Sequence, residues 1–461
     1  MDIKRIEAYR ASLSEKKILV VGMGKSGVAA VKVLHSFGAE VIAQDSKTAD
    51  KIDQQFARYL EENKIGAILG SAPSDPKTYD MYVLSPGVPT DLPWINEARD
   101  AGVEIIGELE LGYRITEGKY VAITGTNGKT TTTTLVGEIF KAAGLKTSVV
   151  GNIGNAVVTA AAESTDEDWM VAEVSSFQLE TTHEFRPVVS AILNLTPDHL
   201  NRHKTMEAYG TAKAAIHANQ TEEDYLVINL DDKACYELAE GCKARLVPFS
   251  RQQQLEFGAY LEGDSLVLRD DFRKMTICDR SELRIIGDHN VENVLAAAAI
   301  CYFAGINMSI ISQAIKDFPG VEHRIEYSGS VDGVKYYNDS KGTNVDAAVI
   351  ALKALRENII LIAGGDGKSQ DFTELAKALE GRVKALVLLG RDAPDIEKSA
   401  KAAGFNNIYN CKDMEECVCK CRELAKEGDS VLLSPACASW DMYPNYEVRG
   451  EHFKNCVKNL K

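Results

Sequence analysis

Residues 120–135, YVAITGTNGKTTTTTL, have the residue types and spacing to hold a polyphosphate. An apolar, strand-like run leads straight into Gly125-Thr126-Asn127-Gly128-Lys129-Thr130, and a threonine-rich helix start follows. In such a turn successive backbone N–H groups can face one anion, and the helix N-terminus adds positive partial charge. Lys129 supplies a point charge for the outer phosphates, and the Thr130 hydroxyl suits a magnesium ion. The longer pattern G-x-x-x-x-G-K-[ST] would put glycine at 123, where Ile123 stands, so this is a shortened variant. The loop predicts a nucleoside triphosphate without specifying a reaction.

Other candidates follow apolar runs. Glu173 closes the run 169–174, where a second magnesium-binding position belongs beside a phosphate loop. The run 189–195 ends in Asn194-Leu195-Thr196-Pro197-Asp198-His199-Leu200-Asn201-Arg202-His203. His199 and His203 are spaced as in a zinc helix, but the glutamate of H-E-x-x-H is missing and Pro197 intervenes. His199 therefore reads as a hard-metal or phosphate-side group. Residues 209–216 form a helix with one lysine, Lys213, among small apolar neighbours; by pattern alone it is a snorkelling surface side chain. Farther on, Glu322-His323-Arg324, NDSKGTN at 338–344, GGDGKS at 364–369 and SPACASWD at 434–441 follow or flank strand ends. Loops of this kind suit small polar or carboxylate ligands.

The elements that must position these groups alternate strand and helix throughout, which predicts an α/β fold in three domains: 1–107, 108–319 and 320–461. Residues 16–45 make a strand–turn–helix–strand unit with glycines at Gly22, Gly24 and Gly27 and Asp45 closing the second strand. That is a Rossmann-like diphosphate turn and, taken alone, would suggest an NAD-dependent oxidoreductase. The run 82–84 ends in Ser85-Pro86-Gly87-Val88-Pro89 at the same sheet edge. The central region is expected to be a P-loop ATPase-like parallel sheet, closing in an alanine-rich helix from Asn290 to 303, capped by Asn290 and stopped by Gly305. The third region repeats the scheme, with strands at 334–337, 359–363, 385–389 and 430–433.

Composition narrows the class. Hydrophobic content of 45% and charge of 26% are those of a globular protein, and the net charge of −15 argues against a nucleic-acid backbone as partner. No stretch approaches a membrane span and the first residues do not resemble a signal peptide, so a cytoplasmic location is expected. Ten cysteines are mostly scattered. The cluster Cys417, Cys419 and Cys421 falls in a helical pattern with Met414, Cys417, Cys421 and Leu424 on one face, which predicts core packing rather than metal binding.

Taken together, GTNGKT, EVSSFQLE at 173–180, NLTPDHL at 194–200, the lysine of TAKAAIH at 211–217, HR at 323–324, NDSKGTN, GGDGKS and SPACASWD resemble the Mur ligase family over nearly the whole chain. The segments GMGKSG, SPGVP, NDSKGTN and SPACASWD look like its D-glutamate-adding members. Other Mur ligases and the folylpolyglutamate synthases are the nearest alternatives. One departure is Asn201, where aspartate is expected in D-H-x-D. The resemblance implies a Rossmann-like domain for a UDP-substrate, a central ATPase and a C-terminal Rossmann-like domain closing over ATP and an amino acid. It implies substrates UDP-N-acetylmuramoyl-L-alanine, D-glutamate and ATP, two magnesium ions, a CO₂-derived carbamate on Lys213, and a monomer. Catalysis would fall to Lys129, Glu173, His199 and Lys213, with Thr130, Glu173, His199 and Lys213 around the metal. ATP would meet Gly125, Thr126, Asn127, Gly128, Lys129, Thr130, Asn290, Asn293, Arg324 and Asp339. The UDP-substrate would meet Gly24, Lys25, Ser26, Gly27, Asp45, Ser46, Ser85, Asn152, Ser175 and Gln178. D-Glutamate would meet Lys341, Thr343, Lys368, Ser439 and Tyr446, with Lys368 also toward the activated product.

Overall fold

The computed structural model describes residues 3–355, 357–368 and 370–460, so Ser369 of the GGDGKS segment lies outside the described residues. Among the described residues, three sheets carry the chain. The first has five parallel strands in the order Gly66–Leu69, Glu40–Asp45, Lys17–Val21, Met81–Leu84 and Glu104–Gly107. Strand order reverses between Lys17–Val21 and Met81–Leu84, so the turns after Val21 and Leu84 open beside each other at the carboxyl edge. A crevice at such a switch point is where ligands of open α/β sheets lie.

The second sheet has nine strands, and its phosphate-loop strand Lys119–Thr124 lies between Trp169–Glu173 and Val189–Ile192, parallel to both. Its core strands are buried on both faces, which is why they read as unbroken apolar runs and not as alternating ones. The parallel expectation holds only in part. The edge formed by Gly258–Glu262, Ser265–Arg269 and Lys274–Asp279 is antiparallel. A two-residue link, Gly263-Asp264, is too short for a parallel crossover.

The third sheet runs Glu326–Val331, Val334–Asn338, Ser430–Leu433, Ile359–Ala363, Val383–Leu388, Ile408–Asn410. Only its first pair is antiparallel. Asp332 and Gly333 link that pair with φ of 52° and 75°, the signature of a tight hairpin turn.

The chain packs as two compact units, Met1–Glu282 with Glu292–Asp317, and Leu283–Val291 with Phe318–Lys461. The first two sheets thus share a unit. Their junction is the helix Glu108–Ile115 against the helix Val157–Ala162, where a Cβ on Gly112 would come within 2.6 Å of Val157 and the buried Glu108 carboxylate accepts Val158 N–H at 2.9 Å. The alanine-rich helix corrects the sequence reading: it spans Asp288–Phe303. Asn290 is therefore inside its first turn, donating Nδ2 to Ile286 O at 2.7 Å, and does not cap it. Its end is as expected, with Gly305 at φ 98°. Met414, Cys417 and Cys421 of the helix Met414–Leu424 pack into the third sheet's core.

Candidate active site

At the switch point of the first sheet, a cavity of about 710 Å³ collects Gly24, Lys25, Ser26, Asp45, Ser46 and Ser85. Sterics explain its glycines. Gly22 sits at φ 85°, and a Cβ on Gly27 would lie 1.9 Å from Gly22 O, so only glycine lets the helix Lys25–Ser36 start this close to the turn. A Cβ on Gly24 would touch no protein atom within 4 Å, so that bare backbone faces the cavity. Ser85 Oγ donates to Gly22 O at 2.6 Å and ties the two loops together. Asp45 acts on the protein itself: its oxygens accept Met23 N–H at 2.6 Å and Lys47 N–H at 2.8 Å. Gly27 is enclosed in the helix start and does not line the cavity. Neither do Asn152, Ser175 or Gln178. Asn152 Nδ2 donates to Glu173 at 2.7 Å, while Ser175 and Gln178 form a reciprocal cap for the helix Ser176–Leu179.

The phosphate loop turns from Thr124 through Gly125 at φ 148° and Gly128 at φ 83° into the helix Lys129–Ala142. The expected cradle of successive amides is narrower than its sequence suggests. Thr126 N–H donates to Asn194 O at 3.1 Å and Asn127 N–H to Asn194 Oδ1 at 2.8 Å, so both brace the neighbouring strand end. The helix N-terminus still offers positive partial charge to an anion at this point. Asn293 closes in from the alanine-rich helix: a Cβ on Gly128 would stand 2.2 Å from Asn293 Oδ1.

Two ammonium groups converge on one carbonyl. Lys129 Nζ donates to Gly125 O and Thr126 O at 2.8 Å each, and Lys213 Nζ donates to Gly125 O at 2.9 Å. Lys213 corrects the plain pattern reading of a surface lysine: it is 1% exposed, on the helix Met206–Ala214, over the Tyr209 ring. Burial, reinforced by the Lys129 charge, pulls its pKa from 10.5 to about 7.

Glu173 is buried at the end of its strand, with Oε1 held by Asn152 and Oε2 without a hydrogen-bond partner among the described residues. His199, in the left-handed conformation at φ 53°, packs its ring 4.9 Å from Phe177 with Nε2 3.5 Å from Asp198. Burial lowers its pKa below the ordinary histidine value, Asp198 opposes this, and the charges of Lys129 and Lys213 add to the lowering. His203 is not its partner, since its Nε2 pairs with Ser176 Oγ at 2.9 Å. The buried Glu173 carboxylate oxygen, the Thr130 hydroxyl and the His199 imidazole are of the chemical types that a hard divalent cation accepts.

In the second unit, Asn290 and Arg324 line one cavity of about 690 Å³, with Tyr327, Lys335 and Tyr337. Asp339 is buried, accepting Ser434 Oγ–H at 2.7 Å, and burial raises its pKa to about 6 against the opposing pull of Arg324. Lys341 Nζ lies 5.6 Å from the Tyr446 ring, and Lys368 Nζ lies 4.2 Å from Trp440. Thr343 N–H donates to Lys341 O within the same loop, and Ser439 is buried where its carbonyl accepts Met442 and Tyr443 N–H. Sequence reasoning missed Asn194 and Arg202; the latter holds Pro86 O and Val88 O at 2.9 and 3.0 Å from the central sheet. Their signal was only proximity to His199 in the chain.

Comparison with known proteins gives three family-model matches along the chain. Family models match residues 16–107 (Mur ligase MurD-like, N-terminal domain), 123–301 (Mur ligase middle domain) and 323–437 (Mur ligase, glutamate ligase domain). The chain is 46% identical to the UDP-N-acetylmuramoylalanine--D-glutamate ligase of Alkaliphilus metalliredigens, covering 97% of this chain and 99% of that one. It is 48% identical to the enzyme of the same name from Clostridioides difficile, over 97% and 100%. Among solved structures, the UDP-N-acetylmuramate-alanine ligase MurC of Thermotoga maritima aligns with a TM-score of 0.60 at 21% identity, over 97% of this chain and 100% of that one, a likeness of fold alone. With near-complete coverage at this identity and three matching domain models in order, the chain belongs to the Mur ligase family.

Proposed function

We propose that this chain is an ATP-dependent ligase that joins D-glutamate to UDP-N-acetylmuramoyl-L-alanine in peptidoglycan precursor synthesis. The observation that carries the reading is the full-length likeness to ligases of that name. The glycine turn and its cavity suit the UDP end of one substrate, which an NAD reading would also use, but NAD chemistry leaves Lys129, Glu173 and Lys213 without a task. No described helix is long and apolar enough to cross a membrane. The reading includes a cytoplasmic monomer, with the groups for all three substrates on one chain.

In this reaction the terminal phosphoryl group of ATP passes to the L-alanine carboxylate, giving an acyl phosphate and ADP. The D-glutamate amine then attacks the acyl carbon, a tetrahedral intermediate collapses, and phosphate leaves as the amide forms with loss of the amine proton. Phosphoryl transfer is served mainly by positioning and charge neutralisation. Lys129 swings from the Gly125 and Thr126 carbonyls to the transferring phosphoryl oxygens. Gly128 and the first turn of its helix hold the phosphates, with Asn293 fixing the loop. Glu173 and the Thr130 hydroxyl would hold magnesium, with His199 beside them; when bound, that ion neutralises phosphate charge. Asn290, Arg324 and Asp339 are assigned to the nucleotide, and Lys341, Thr343, Lys368, Ser439 and Tyr446 to D-glutamate.

Lys213 is assigned a carbamate. Its neutral amine adds CO₂, forming an N–C bond and releasing a proton, so that a cation opposing the metal becomes an anionic oxygen ligand. The pKa of about 7 supports this, because the neutral amine is abundant near pH 7.

The test is phosphate release from ATP with UDP-N-acetylmuramoyl-L-alanine and a panel of amino acids. D-Glutamate should be strongly preferred; preference for meso-diaminopimelate or L-lysine would reject the assignment.

A further inference from the structure

We propose that Arg449 is a positioning residue for the amino-acid substrate, its guanidinium setting the spacing between the loop that carries Lys341 and the loop that carries Ser439. The inference rests on the assignment of those loops to the amino acid in the preceding section.

Arg449 belongs to the first turns of the helix Tyr446–Lys458, whose start is fixed by Asn445 Oδ1 accepting Val448 N–H at 2.8 Å. The side chain is 2% exposed. Its Nε donates to Ser340 Oγ at 3.0 Å, and Nη2 donates to Ser340 O at 2.9 Å and Cys437 O at 3.1 Å. Ser340 immediately precedes Lys341, and Cys437 stands two residues before Ser439. Ser340 Oγ in turn donates to Tyr446 O at 2.8 Å, so the same hydroxyl ties in the residue whose ring faces Lys341.

A third loop meets the same guanidinium. Asp366 and Ala438 exchange backbone hydrogen bonds at 2.9 and 2.8 Å, and a Cβ on Gly365 would lie 2.3 Å from Ala438 O and 3.2 Å from Arg449 Nη1. Gly365 is at φ 135°, where a side chain is strained in any case. The loops bearing Lys341, Lys368 and Ser439 are therefore all referenced to one planar group.

The chemistry is unusual for a plain strut. Among the described residues every hydrogen-bond acceptor of Arg449 is a carbonyl or hydroxyl, and no carboxylate forms an ion pair with it. Nη1 is buried, with no hydrogen-bond partner among the described residues. Burial lowers the pKa of Arg449 to about 10, which leaves it charged at neutral pH. Asp441 and Asp339 act on this charge from a distance without pairing with it, and a buried cation lacking a bonded carboxylate is a poor stabiliser compared with apolar packing. Near loops assigned to an amino acid bearing two carboxylates, in a chain of net charge −15, it provides fixed positive potential as well as geometry.

The experiment uses the full-length protein with Arg449→Lys and, separately, Ser340→Ala, measuring phosphate release with each substrate varied in turn. Lysine keeps the charge but cannot span two loops, so KM for D-glutamate should rise about tenfold, in line with losing charge-assisted hydrogen bonds. Ser340→Ala removes one acceptor and should raise it about threefold, with KM for the UDP-substrate unchanged in both. Equal rises in both KM values, or a wild-type KM for D-glutamate in Arg449→Lys, would overturn the proposal. If Arg449→Lys does not fold, the same split in Ser340→Ala decides. A wild-type enzyme that prefers another amino acid would refute the proposed substrate, and the KM for that amino acid in the two variants would still decide the role of Arg449.

Discussion

Replacing Lys213 with methionine should make the protein more stable while abolishing its activity, a combination that a merely structural lysine would not produce. In CO₂-free, metal-free buffer Lys213 is a buried amine bonded to Gly125 O at 2.9 Å. Its pKa falls from 10.5 to about 7, chiefly because burial disfavours the ammonium form and secondarily because Lys129 is close. A drop of that size means the unfolded chain holds this proton more tightly by roughly 4–5 kcal/mol. The sign follows. Between about pH 7 and 10.5 the unfolded state binds the extra proton, so wild-type stability rises with pH through that window. At and below pH 7 both states become protonated and the penalty is fully present.

Methionine has a similar length and no charge, so it removes the penalty and loses the bond to Gly125, worth roughly 1.5–3 kcal/mol for a charged donor. The net expectation is a variant more stable by about 2 kcal/mol near pH 7, with the advantage fading toward pH 10.5. Calorimetric thermal midpoints of both proteins across that range test it, alongside phosphate release. A variant less stable than wild type near pH 7, or a difference independent of pH, would refute the reasoning. In the companion variant Lys213→Ala, acetate or formate should restore part of the lost turnover by filling the carbamate's place, and no rescue would argue against the carbamate.

Two further outcomes follow from the geometry. Gly27→Ala drives a Cβ to 1.9 Å from Gly22 O, so it should reshape the turn and weaken UDP binding at least tenfold by calorimetry, while NAD⁺ binds neither protein; tight NAD⁺ binding to the wild type would revive the oxidoreductase alternative. Trp440→Ala removes the ring 4.2 Å from Lys368 Nζ, and a cation–π contact at an exposed site is worth about 0.5–1 kcal/mol, so KM for D-glutamate should rise about two- to fivefold with kcat little changed.

Much of the site was legible because it is local. A strand, a glycine turn and a helix in direct succession specify the phosphate loop at residues 119–142 without reference to the rest of the chain, since backbone conformation and the helix N-terminus are properties of neighbouring residues. Strand-end placement likewise picked out Glu173, Ser85 and the loops at 338–344 and 434–441, because consecutive parallel strands put their carboxyl ends on one edge. The antiparallel edge of the central sheet and the true start of the alanine-rich helix were misread. A short Gly-Asp link and a helix beginning two residues early leave weak signals beside a strong apolar pattern.

The amino-acid sequence alone determined the α/β class, the glycine turns, the order of chemical motifs and, through their resemblance to a family, the reaction. What it could not decide was which polar groups are already engaged. Asn194 reaches across 67 residues to occupy an amide of the phosphate loop, Lys213 reaches across 88 to share the Gly125 carbonyl with Lys129, and Arg449 reaches across 109 to gather its loops. A side chain's charge state depends on what surrounds it in space: the lysine that its neighbours in sequence would leave in solvent is buried by tertiary packing, and only that packing brings its amine to a pKa of about 7.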